Sequence, residues 1–162
     1  MADMFLGSFP NLTTTKAGLS AGTTTTISTA NTIIYSIGHK PYIKTAITNG
    51  ATPTTDITTG KAFVGLTANN GTVFVFGLDA SGNLAVAQGP VNALDAAGKF
   101  IVAPQFPELP DTVAPFAYLV ALGASNLSGT WTFGSSNLSS VTGMTYNFQD
   151  VLPVLPMRPQ VS

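Results

Sequence analysis

Seven acidic side chains and a single histidine are the first groups to examine for acid–base chemistry in this 162-residue chain. A Ser-His-Asp triad needs an imidazole within hydrogen-bond reach of both a nucleophile and an acid, and His39 is the sole imidazole. It stands in "GHKP", between a glycine and a lysine and just before Pro41, where a turn histidine is the plainer reading. No second histidine and no cysteine are present to complete a nitrogen or sulfur metal site. Paired carboxylates could hydrolyse a glycoside. The candidates are Asp56, Asp79, Asp95, Glu108, Asp111 and Asp150, and most stand in turn sequences or beside proline. There an Asp usually organises local backbone. No phosphate loop, dinucleotide fingerprint or EF-hand spacing occurs. The expectation is a protein that is not an enzyme and holds neither cofactor nor metal.

Two of those acids belong to an echo. "LDASGNLAVA" at 78–87 returns as "LDAAGKFIVA" at 94–103, an offset of 16 residues. Each copy sets Asp, two small residues and Gly between apolar segments. That order fits a type I turn closed by a glycine in the left-handed region. The Asp carboxylate accepts from backbone N–H groups further along the turn. Asp79, Gly82, Asp95 and Gly98 are therefore expected to shape turns, and the two copies to form successive hairpins.

Elements that could position these residues read as short strands. "TIIYSIG" is the first, and in "KPYIKTAIT" an alternation places Ile43, Thr45 and Ile47 on one face. "KAFVGLTANNGTVFVFGL" reads as strand, turn, strand, with Val73 and Val75 on one face and Phe74 and Phe76 on the other. "FAYLVALG", "GTWTFG" and "GMTYNFQDV" follow as strands. Between them, "APQFPELPDTVAPF" holds four prolines and suits an extended connection. No stretch joins helical periodicity to caps. The fold class is all-β, a single small β-sandwich or barrel, with a jelly roll among the topologies that fit.

Both ends read differently from the middle. Residues 1–31 are rich in Thr, Ser and Gly, which suits either a disordered start or an extended arm that adds to a neighbour's sheet. Residues 151–162 carry proline at every third position, as a polyproline II arm would. The expected organisation is an N-terminal arm at 1–31, a β domain at 32–150 and a C-terminal arm at 151–162. Thr23, Thr24, Thr25, Thr26, Pro153, Pro156 and Pro159 are candidate partner-binding positions in these arms.

Charged residues make up only 8% of the chain and the net charge is −1, against about 25% charged in an ordinary soluble domain. Such a surface is poorly protected against association. Either a neighbour covers it, or Thr, Ser, Asn and Gly supply the polarity. Five lysines and one arginine lie scattered, so no stripe for nucleic acid exists. No apolar run reaches the length of a membrane span, and Met1–Gly7 lacks a signal-peptide pattern. The aromatic residues, Trp131 among them, fall mostly on strands, where core packing is their first explanation. A sugar-binding platform around Trp131 is the sharper alternative.

Four segments together carry a resemblance over residues 33–160. "YSIGHKPYIKTAITNGATPTTDITTGKAFVGL", "GTVFVFGLDASGNLAVAQG", "PQFPELPDTVAPFAYLV" and "TWTFGSSN" resemble small structural proteins of tailed bacteriophages. These are found near the major capsid protein and are interpreted as head decoration, or cement, proteins. The resemblance rests on the order of the segments rather than on one motif, and it carries over no catalytic residue. It implies a protein made in the host cytoplasm and placed on the outer surface of the capsid in the virion. Its partners would be the major capsid protein and its own copies, as a homotrimer. A tail or baseplate adaptor, a fibre-associated protein and a host-surface carbohydrate-binding module are the alternatives.

Overall fold

A computed structural model of the protein describes residues 11–161, and every regular element in that range is a β-strand. In chain order they are β1 (Leu12–Thr13), β2 (Leu19–Ala21), β3 (Thr26–Thr29), β4 (Ile33–Ile37), β5 (Lys40–Lys44) and β6 (Gly50–Ala51). Then come β7 (Asn70–Leu78), β8 (Leu84–Gln88), β9 (Asn92–Ala93), β10 (Ala114–Gly123) and β11 (Met144–Asp150). The central sheet runs β11-β10-β7-β8, with β9 continuing along the β7 edge after β8. Two smaller antiparallel sheets, β1-β4-β5 and β2-β3-β6, complete the architecture. The central sheet is open at β11 and β8, so the stacked sheets make a small β-sandwich rather than a closed barrel.

The apolar runs of β7 and β10 follow from burial on both faces, which removes any need for polar alternation. On the front face, Phe74, Phe76 and Leu119 pack with Ile27, Leu66, Trp131 and Phe133 in the main core. Phe133 stacks on Phe74 at 4.7 Å and meets the edge of Phe63 at 5.0 Å. On the back face, Val73, Val75, Tyr118 and Val120 form a second cluster under Phe100, Phe106, Leu109 and Leu155. The division of Val and Phe along β7 is thus a division between two cores.

The ends of the chain depart from the expected three-part organisation. Residues 11–31 are inside the body: Ala17, Leu19 and Ile27 are buried in the main core. Threonine makes this workable, because its hydroxyl satisfies backbone that no ladder reaches. The buried Thr13 donates through Oγ1 to Pro115 O at 2.7 Å. Thr29 Oγ1 accepts from Ile47 N at 2.9 Å. Residues 1–10 of the proposed arm lie outside the described residues. At the other end, residues 151–161 cross the back face as a strap. Val151 and Pro159 are buried, Leu155 packs on the second cluster, and Gln160 N donates to Tyr118 Oη at 3.0 Å. The Leu152–Pro153 bond is cis.

Other departures have local causes. The β5 alternation stops at Lys44, leaving Ile43 72% exposed while Ile47 packs on the core. Residues 61–68 form no strand; their ladder contacts are two isolated bridges, Ala62 with Thr55 and Leu66 with Trp131, and the Gln88 side chain accepts from Val64 N and donates to Val64 O. Asn69, at φ 60°, turns the chain into β7 while its N–H donates to Gly123 O. The second copy of the echo makes a single Leu94–Phe100 bridge instead of a full hairpin. Its incoming strand, β9, is only two residues long and is committed to β7.

Candidate interaction surface

The carboxylates of Asp56, Asp79, Asp95 and Asp150 accept from backbone N–H groups, whereas Glu108 and Asp111 are exposed. His39 is exposed at the tip of the β4–β5 hairpin, beside Gly38. Asp56 is buried, with Oδ1 accepting from Thr58 N at 2.7 Å and Thr59 N at 3.2 Å, and Oδ2 from Gln88 N at 3.1 Å. Asp150 Oδ1 accepts from Gly18 N at 2.8 Å, pinning the N-terminal layer to β11. Among the described residues no three His, Asp or Glu side chains converge as a metal site would require. Asp56 and Asp150 thus organise a turn and a joint between layers.

The echo produces two turns of the same geometry. Asp79 Oδ1 accepts from Ser81 N and Asn83 N, both at 2.8 Å. Asp95 Oδ1 accepts from Ala97 N and Lys99 N, both at 2.9 Å. Gly82 and Gly98 close the turns at φ 76° and 75°, in the left-handed region that glycine enters without steric cost. The surroundings differ. Asp79 Oδ2 also accepts from Asn83 Nδ2 at 2.9 Å, and Tyr35 Oη donates to Asp79 O at 2.8 Å. Burial works against the Asp79 charge, but the donors of Asn83, Ser81 and Gly82 prevail and hold its carboxyl below the ordinary value. Burial, followed by the Asp79 charge, pushes the Tyr35 hydroxyl up.

Trp131 does not form a surface platform. It is 2% exposed, its Nε1 donates to Asn137 O at 2.8 Å, and its ring lies 5.6 Å from that of Tyr146. Burial raises the Tyr146 hydroxyl to about 12. Thr23–Thr26 likewise form no projecting arm. They make the tip between β2 and β3, where Thr23 N donates to Thr26 Oγ1 and Asn49 Oδ1, each at 3.1 Å. Thr24 O accepts from Leu138 N and Thr25 O from Thr52 Oγ1.

Several large apolar side chains stand at the surface. The chain leaving the Asp95 turn places Ile101 and Val102 at the surface, 66% and 64% exposed, and the strap adds a fully exposed Met157. Neighbouring positions line an open cleft of about 440 Å³ with Lys99, Phe100, Pro104, Leu122, Arg158 and Pro159 on its walls, and Met157 borders a second one with Ala103, Pro104 and Arg158. Pro153 and Pro156 are exposed along the strap, whereas Pro159 is buried against the body. No family model, curated protein or solved structure matches the chain. Its function must therefore be argued from this surface.

The sequence reading passed over Ile101, Val102 and Met157. A signal was present: "FIVAP" sets an aliphatic pair between a glycine turn and a proline, where no strand can continue far enough to bury it. Such a patch on a chain otherwise poor in charge is the usual mark of a contact surface.

Proposed function

We propose that the protein is a bacteriophage capsid decoration protein that binds the outer surface of the mature head and stabilises contacts between capsomers. The observation that carries this reading is the exposure of Ile101, Val102 and Met157, adjacent in sequence to residues that line the Phe100–Pro159 cleft. These side chains sit on a body in which Asp56, Asp79, Asp95 and Asp150 organise backbone. The order of the sequence segments supports the same assignment by resemblance. The major capsid protein is the partner, met through apolar surface and backbone rather than through charge.

Mechanistically, binding to the assembled lattice and not to free capsid subunits stabilises the lattice by mass action. A patch on a packed body loses little conformational entropy on docking, and the proline backbone of the strap is already restricted. The test is add-back of purified protein to heads that lack it, followed by electron cryo-microscopy and thermal challenge. Density on the outer head surface and a raised rupture temperature are expected, both abolished by the paired substitution Ile101→Asp and Val102→Asp. Density on the tail, or none on the head, overturns the reading in favour of an adaptor.

A further inference from the structure

The two edges of the central sheet are finished in opposite ways. At β8 two outward backbone groups are taken: Val86 O accepts from Ile57 N at 2.9 Å, and Gln88 N donates to Asp56 Oδ2 at 3.1 Å. The loop at 56–58 therefore covers the Val86–Gln88 end of that edge. At β11, among the described residues, the outward donor at the start of the strand is taken, Met144 N donating to Val141 O at 3.1 Å, but no loop lies along the strand beyond it. Ala124 N donates to Gly143 O, and the register pairs Gly123 with Met144 through to Ala117 with Asp150. Bonded and non-bonded pairs alternate along an antiparallel ladder. Thr145, Asn147 and Gln149 thus bond to β10, while Tyr146 and Phe148 turn their N–H and C=O groups outward. Among the described residues no backbone or side-chain partner outside the ladder takes these groups.

Proteins protect such edges with lysine, proline, a bulge or a very short strand. β11 runs seven residues and pairs with β10 without a register shift. Its one charge, Asp150, is held by Gly18 N. We propose that β11 pairs antiparallel with β11 of a second copy across a two-fold axis, joining two central sheets into one.

The occupant follows from self-complementarity. Centring the axis on Asn147 sets all seven residues of the strand opposite a partner and matches outward groups with outward groups; the Tyr146–Phe148 pairs carry the new bonds, since Met144 N is already given to Val141 O. Tyr146 then stands opposite Phe148 of the second copy, and Asp150 opposite Met144, so no like charges meet. Asn147 faces its own counterpart as a non-hydrogen-bonded pair, with Cα atoms about 4.5 Å apart. Moving the axis to Phe148 pairs only residues 146–150. The exposed Leu152 and Val154, directly after the strand, add apolar surface beside the backbone pairing. A contact of this kind closes at two copies, in distinction from the trimer that the resemblance implies. It stands independently of the capsid reading.

Light scattering on the sized protein should give about twice the 16.6 kDa chain mass. Asn147→Lys and Asn147→Asp each set like charges against each other at the axis. Each alone should weaken association roughly tenfold or more, and an equimolar mixture of the two should recover the two-chain mass. In the unsubstituted protein, exchange at the Tyr146 and Phe148 amides should accelerate on dilution while β10 amides stay protected, which reads the same contact without a substitution. A one-chain or three-chain mass overturns the proposal. So does a two-chain mass with dilution-independent exchange, or one that neither substitution changes.

Discussion

The two faces of the central sheet are covered by different kinds of structure. The front is covered by strands and by an aromatic cluster in which Phe133 touches Phe63, Phe74, Phe76 and Trp131. The back is covered by strand-free chain, the segment at 100–109 and the strap at 151–161. Strands in the front layers satisfy their own backbone through ladders. Proline lacks the N–H that a ladder uses, so the strap can lie on apolar side chains with fewer donors to satisfy. The lesson is that one sheet can carry a cooperative core on one side and a peelable cover on the other. The exposed apolar patch belongs to the peelable side.

Three perturbations would break or sharpen this contrast. Phe133→Ala removes the hub of the front cluster and should cost about 3–5 kcal/mol, read as a lowered midpoint in denaturant titration. Deleting residues 155–161 should leave the front intact. It should cost about 2 kcal/mol for the lost Leu155 cover and expose Val73, Val75 and Tyr118 to a hydrophobic dye. If instead the deletion unfolds the chain, the back is as integral as the front. The smallest effect compares the twin turns. Asp95→Ala should cost about 1 kcal/mol and Asp79→Ala more, about 2 kcal/mol, because Asp79 holds an extra bond from Asn83.

The Asp79 turn also carries a pH signature. Its folded carboxyl titrates below the unfolded value, so its contribution is complete above about pH 4 and lost as pH falls through the lowered folded value. In Asp79→Asn the stability difference from the parent protein should therefore narrow on acidification, measured by thermal melts across that range. A difference that stays constant with pH would mean that the charge is irrelevant to the turn.

How much was legible depends on whether the signal was local. The twin turns were, since Asp and Gly act within five residues of each other. The Val and Phe alternation of β7 was also legible, because period two needs only the strand itself. Residues 61–68 misled because "KAFVGL" alternates like a strand, while its backbone meets other chain through isolated bridges with Thr55 and Trp131 and the side chain of Gln88 rather than a ladder. The Thr-rich start misled for a different reason. Ile27 is the lone large apolar residue in "TTTTISTA", yet it is fully buried. The buried threonines around it owe their place to carbonyls and amides far along the chain. The apolar patch was visible as residues but not as a surface, since Met157 reaches it only through the path of the strap.

The bond from Gly18 N to Asp150 Oδ1 joins positions 132 residues apart. Thr13, likewise, donates through Oγ1 to Pro115 O and through N to Pro153 O. During synthesis, then, the first strands emerge long before the groups that receive them. The Phe74 and Phe76 side of β7 must wait for Trp131 and Phe133 to leave the ribosome. Long-range β pairing of this kind folds slowly and leaves apolar surface open meanwhile. A nascent chain built this way depends on being shielded until its last strand is made.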